Sequence, residues 1–169
     1  MRRSAIALLL LPLPVLSQQI PRTEFTTLTG TKGAVPREGG AKPLVILISF
    51  SHKGADDLTA WNKLFKSRYE GDPRVDYFEL ADFEGVPSLV MKMILHGMKR
   101  SVPEVERPHF APFYTHDGEW KKLVSFENPQ VTYVIVADSA GRVLWQTHGP
   151  ASEAGVSDLE NAIMKLTSK

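Results

Sequence analysis

The stretch Pro43–Phe65 does most to limit what this chain can become. Leu44 to Phe50 reads Leu-Val-Ile-Leu-Ile-Ser-Phe, a nearly continuous apolar run rich in β-branched residues. It is too short for an ordinary helix and suits a strand covered on both faces. A polar segment follows, Ser51-His52-Lys53-Gly54-Ala55-Asp56-Asp57. Leu58, Trp61, Leu64 and Phe65 then recur at helical spacing, which predicts a helix from about Asp57 to Tyr69. Asp56 or Asp57 is expected to cap its first turn, and Gly71-Asp72-Pro73 ends it. Val75 to Leu80 alternates as a second strand. Strand, helix and strand joined by short connections form a right-handed βαβ unit, so the two strands should be parallel.

Val86 to Arg100 predicts a second helix, with Pro87 in its first turn and Lys99 and Arg100 at its carboxyl end. Val86, Leu89, Val90, Met91, Met93, Ile94, Leu95 and Met98 surround most of its circumference. A helix apolar on all sides is expected to be buried; the other reading is a docking surface, for which adaptable Met side chains are suited. Ser101 to Pro129 is a long connection rich in proline and aromatic residues, with a short strand or sheet edge expected between Trp120 and Phe126. Val131 to Ala137 is another buried strand. Asp138-Ser139-Ala140-Gly141 turns it into an antiparallel partner, Val143 to Thr147, carrying Trp145. Ser157 with Glu160 reads as a capping box for a last helix whose stripe is Leu159, Ala162, Ile163 and Leu166. Before the first strand, residues 18–42 read as an arm wrapping the domain, with one short strand from Phe25, Thr27 and Leu28. The order is that of an α/β, thioredoxin-like domain over residues 43–169. It has a central mixed sheet, helices on both faces, and a helical and loop insertion at 81–129 before the C-terminal hairpin.

Thiol redox proteins place a Cys-x-x-Cys pair at the turn after the first buried strand. This chain has no cysteine among its 169 residues. Dithiol exchange needs a thiolate, which oxygen and nitrogen side chains cannot replace. A disulfide substrate is therefore excluded, and no cofactor is expected. The basic and acidic residues number 20 and 19, so no domain-wide positive field is available for nucleic acid. No Gly-x-Ser-x-Gly elbow and no phosphate-binding glycine loop occurs. The first 17 residues carry Arg2 and Arg3, then a short apolar run from Ala5 to Leu16. This is the pattern of an export signal cleaved near Ser17; the alternative is an N-terminal membrane anchor, for which the run is short.

Candidate binding residues are His52, Lys53, Asp56 and Asp57 in the loop after the first strand, with Trp145, Phe110, Phe113 and Tyr114 as aromatic contacts for a protein partner. The plain reading of the loop is that the aspartates cap the helix and His52 and Lys53 are solvated. No catalytic residue is assigned. A metal-binding or hydrolytic protein using His52, His109, His116 and Asp117 is the alternative, though no two histidines share a ligand spacing on one helix.

Asn128-Pro129, Tyr133-Val134-Ile135-Val136-Ala137-Asp138, Gly141-Arg142-Val143-Leu144-Trp145 and Gly149 together carry a family pattern. With Trp61, Phe65 and Lys99-Arg100-Ser101-Val102-Pro103, they resemble the mitochondrial ATP synthase assembly-factor family over about residues 40–167. The resemblance implies a thioredoxin-like domain without redox cysteines. It implies binding to a protein partner, a subunit of a membrane complex, rather than catalysis. Thr132 and Leu144 depart from the family's usual residues.

Overall fold

The computed structural model describes residues 18–37 and 39–167. The expected export signal, residues 1–17, lies outside the described residues. A small antiparallel hairpin comes first, β1 (Thr23–Thr26) with β2 (Lys32–Val35). The main sheet contains β3 (Leu44–Ser49), β4 (Asp76–Asp82), β5 (Phe110–Phe113), β6 (Thr132–Ala137) and β7 (Val143–His148), in the order β5-β4-β3-β6-β7. The described residues also form four α-helices: α1 (Ala55–Tyr69), α2 (Ser88–Ser101), α3 (Asp117–Leu123) and α4 (Glu153–Thr167).

β3 lies in the middle, as its unbroken apolar run requires. It pairs parallel with β4 and antiparallel with β6, so Ile46 sits between Phe78 and Ile135. Every β3 residue is buried. Because side chains alternate across a strand, β3 feeds two cores. Val45 and Leu47 join Val134 and Val136 under α1 and α4, through Leu58, Trp61, Phe65, Val156, Leu159 and Ile163. Leu44, Ile46 and Ile48 face the other way, with Tyr133, Phe113 and Trp120. The arm covers that second face: Ile20, Phe25 and Val35 belong to the same core. It reaches across the sheet, from Gln18 bonded to Val143 at one edge to Leu28 bonded to the Phe110 carbonyl at the other. Gly141 permits the crossing, since a Cβ there would lie 2.7 Å from Gln19 Nε2 and 2.9 Å from Pro36. Its φ of 84° also suits glycine.

Four expectations fail, each for a physical reason. The α2 helix is not a buried core helix: none of its residues is buried. The face behind the sheet is already occupied by the arm and α3, so α2 is left at the β4–β5 margin. It covers only Leu28, Ala81, Phe83 and Phe110. Trp120–Phe126 is not a strand or edge; Asp117–Leu123 is helical. Trp120, Leu123 and Val124 are buried at i, i+3 and i+4, acids stand in the first turn and lysines in the last. The edge strand is instead Phe110–Phe113, within the supposed loop. Ser157 does not open α4. The helix begins earlier, where Ser152 Oγ accepts the Gly155 N–H at 3.1 Å, and Val156 extends the buried stripe by a turn. Neither Asp56 nor Asp57 caps α1 with its side chain. One 3₁₀ turn, His52–Gly54, runs straight into the helix, and its N-cap Gly54 has no capping side chain. Asp56 and Asp57 stay in the first turn, where the helix dipole favours them.

Candidate functional site

The carboxyl ends of β3, β4 and β5 gather at one end of the sheet, together with the start of β6. Functional loops in open α/β sheets cluster at this end. The turn after β3 is closed by its neighbours. Ser51 Oγ donates to the Pro129 carbonyl, and Thr132 Oγ1 donates to the Gly54 carbonyl at 2.8 Å. Tyr133 Oη accepts the Glu127 and Asn128 amides at 3.0 and 3.1 Å, fixing the segment before β6. Phe50 packs edge to face on both Phe126 and Tyr133 beneath it, with Lys121 Nζ 5.2 Å from the Phe126 ring centre.

Ser51 and Gly54 have the spacing of the two cysteines of a dithiol motif. Gly54 is buried, and a Cβ on it would lie 3.1 Å from the Val131 carbonyl oxygen and 3.5 Å from Ser49 Cβ. The turn thus closes around a residue with no side chain. Installing Ser51→Cys with Gly54→Cys is expected to destabilise the protein by about 1–3 kcal/mol through overpacking at residue 54. Urea denaturation of the reduced double variant measures this, and an unchanged midpoint would contradict it.

His52 and Lys53 are exposed at the turn, Asp56 is exposed and Asp57 half-buried. Tyr114, 37% exposed, stands at the same end of the sheet against Phe83. Phe110 and Phe113 face the core, at 8% and 0% exposure, and offer no contact surface. Trp145 lies mid-strand opposite Val136 and packs half-buried into the α1–α4 core. The aromatic set therefore does not form one patch. His109 and His116 stand at opposite ends of β5. His109 Nδ1 meets the Tyr77 carbonyl and His116 Nδ1 meets Glu119. Among the described residues no three His, Asp or Glu side chains could together hold a metal ion.

Two carboxylates escaped sequence reasoning. Asp82, at the end of β4, meets Asp117 at the start of α3. Burial and the Asp117 charge raise its pKa to about 6, while the Glu84 amide works against the rise. Lys121 Nζ pairs with Asp117 at 2.8 Å. Glu79, mid-strand in β4, is 3% exposed and accepts from Asn62 Nδ2 and from Tyr77 Oη. An acid within a strand run was the only available signal for it.

Among the described residues, the main group of neighbouring exposed apolar side chains belongs to α2. Leu89 and Met93 are 72% and 70% exposed, and Val90 and Ile94 are exposed beside them. Their spacing, i, i+1, i+4 and i+5, makes one stripe. Met91, Leu95 and Met98 occupy the opposite side and pack on the domain.

A family model described as ATP10 protein matches residues 47–166. No curated protein matches this sequence. Solved structures do. The exposed lipoprotein thioredoxin Etrx1 of Streptococcus pneumoniae strain TIGR4 is 8% identical, with a TM-score of 0.58 over 84% of this chain and 98% of that one. BsSco, from the Sco family of cytochrome c oxidase assembly proteins, is 9% identical, with a TM-score of 0.56 over 88% and 95%. A putative electron transfer protein of Aquifex aeolicus VF5 is 11% identical, with a TM-score of 0.59 over 91% and 99%. At these identities the likeness shows the fold, which is thioredoxin-like.

Proposed function

This chain belongs to the ATP10 protein family, and from that premise we propose that it assists ATP synthase assembly by holding a subunit of the membrane complex. The work is contact, not bond-making. The observation that carries this reading is the family match on a thioredoxin-like scaffold whose turn after β3 closes tightly around Gly54. The hydroxyls of Ser51 and Thr132, each donating to a backbone carbonyl, lock that turn. A locked turn suits a binding edge better than a site that must open and close. We further propose that the protein works outside the cytoplasm, on the strength of the basic and then apolar opening of the chain. Deleting the protein from its own cell is expected to lower the amount of assembled ATP synthase on native gels, with restoration by the plasmid-borne chain. Normal assembly in the deletion strain would end this reading.

A further inference from the structure

We propose that α2 is an interfacial helix that lies on an anionic lipid bilayer, with Leu89, Val90, Met93 and Ile94 entering the headgroup region. The inference rests on α2 alone and not on the assembly reading. Three observations carry it.

The first is the shape of the exposed surface. The helix has fourteen residues, none buried. One side is held to the domain by Met91, Leu95 and Met98, so the other side is presented at a fixed angle. Val105, 61% exposed, follows shortly after the helix. At 1.5 Å per residue the helix is roughly 21 Å long. That is too short to span, since a crossing needs about 20 apolar residues. It is long enough to lie flat. Among the described residues no helix is long and apolar enough to cross a membrane.

The second is charge. From Ser88 to Ser101 the ionisable residues are Lys92, His96, Lys99 and Arg100, and there is no acid. Among the described residues no ion pair engages Lys92, Lys99 or Arg100. On a helical projection Lys92 and Lys99 share one flank of the apolar stripe, and Arg100 lies at its end. An apolar stripe bordered by cations is the pattern of a helix that binds anionic lipid.

The third is residue type. Protein–protein hot spots are rich in Trp, Tyr and Arg and poor in Leu and Val, and interfaces as a whole are enriched in aromatic residues and Met and depleted in Lys. The α2 stripe is Leu, Val, Met and Ile with lysines alongside. Met93 and Arg100 fit either kind of surface, but the absence of any aromatic residue from Ser88 to Ser101 and the lysines on the flank favour a lipid surface over a protein groove.

The test is vesicle flotation of the full chain with phosphatidylcholine vesicles, with and without phosphatidylglycerol. Residues 1–17 carry an apolar run of their own, so the reading is the difference between the parent and its α2 variants. The double variant Leu89→Ser, Met93→Ser is expected to lose binding to anionic vesicles by about ten-fold or more. The triple variant Lys92→Gln, Lys99→Gln, Arg100→Gln should lose its preference for phosphatidylglycerol, at roughly five-fold per cation. Both should melt at the parent temperature, because the changed side chains are exposed. Variants that bind anionic vesicles as the parent does would overturn the proposal. So would a parent that ignores phosphatidylglycerol. Loss of an ATP synthase subunit from detergent pull-downs by the Leu89→Ser, Met93→Ser variant, with vesicle binding unaltered, would make α2 a protein contact and also overturn it. Vesicle binding without any effect on ATP synthase assembly would sustain this inference while removing the functional reading above.

Discussion

Replacing Trp120 with alanine is expected to destabilise the fold by about 3–5 kcal/mol, the range for deleting a large buried aromatic. Trp120 is fully buried. It packs beside Phe113, ring centres 6.3 Å apart, in the core that also holds Ile20 and Phe25 of the arm. Its Nε1–H donates to Thr23 Oγ1 at 2.9 Å, and the Thr23 hydroxyl in turn donates to the Pro21 carbonyl at 3.2 Å. One side chain thus joins α3 to β1, and the arm to the sheet. With typical domains stable by only about 5–15 kcal/mol, alanine here removes roughly a fifth or more of the total. The arm should loosen with it, so trypsin cleavage at Arg22 or Lys32 should accelerate along with the drop in urea midpoint. Trp120→Phe keeps the ring and forfeits the hydrogen bond, a loss of about 1 kcal/mol from the bond plus a smaller packing loss. A Trp120→Ala midpoint within error of the parent would show that the arm holds to the domain without it.

The same residue shows where sequence reasoning reached its limit. The continuous runs at Leu44–Phe50 and Val131–Ala137 announced central strands, because only full burial on both faces tolerates such runs, and the strands they form indeed pair side by side. The hairpin to β7 followed from Asp138–Gly141. Trp120 was legible as apolar but not as helical, since four prolines around it suggested irregular chain and its seven-residue helix is too short to display a period. The error on α2 had a different origin. Apolar residues on every side predict burial only if the fold has a second layer to supply, and the arm had already taken that place. Phe110 and Phe113 were misplaced by the same long segment: with β5 unrecognised, two core residues looked like surface aromatics. His52 and Lys53 were placed correctly in the turn, yet what closes that turn comes from Pro129 and Thr132, 78 residues downstream. No local pattern announces such a contact.

Glu79 supplies the second large effect. Burial raises its pKa from 4.5 to about 7; the Tyr77 hydrogen bond opposes the rise, the Glu106 charge adds to it, and Lys66 draws it down. The sign follows from proton counting. Between pH 4.5 and pH 7 the folded protein holds a proton that the unfolded chain has released, so stability falls as pH rises through that window. Below pH 4.5 the group is protonated in both states and contributes no slope; above pH 7 it is ionised in both and the loss is complete. A shift of this size corresponds to about 3 kcal/mol. Glu79→Gln removes the titration while keeping an oxygen for Tyr77 Oη. The variant should therefore gain on the parent by roughly 2–3 kcal/mol between pH 5 and pH 8. Asn62 Oδ1, buried without a partner, is the acceptor a protonated carboxyl can use once the amide turns over, which favours the neutral form further. Parallel urea titrations of parent and variant at pH 5 and pH 8 measure the difference. Equal pH slopes would place the charged form of Glu79 comfortably in the fold, against the cost of burying a carboxylate whose hydrogen-bond partners, Asn62 and Tyr77, are neutral.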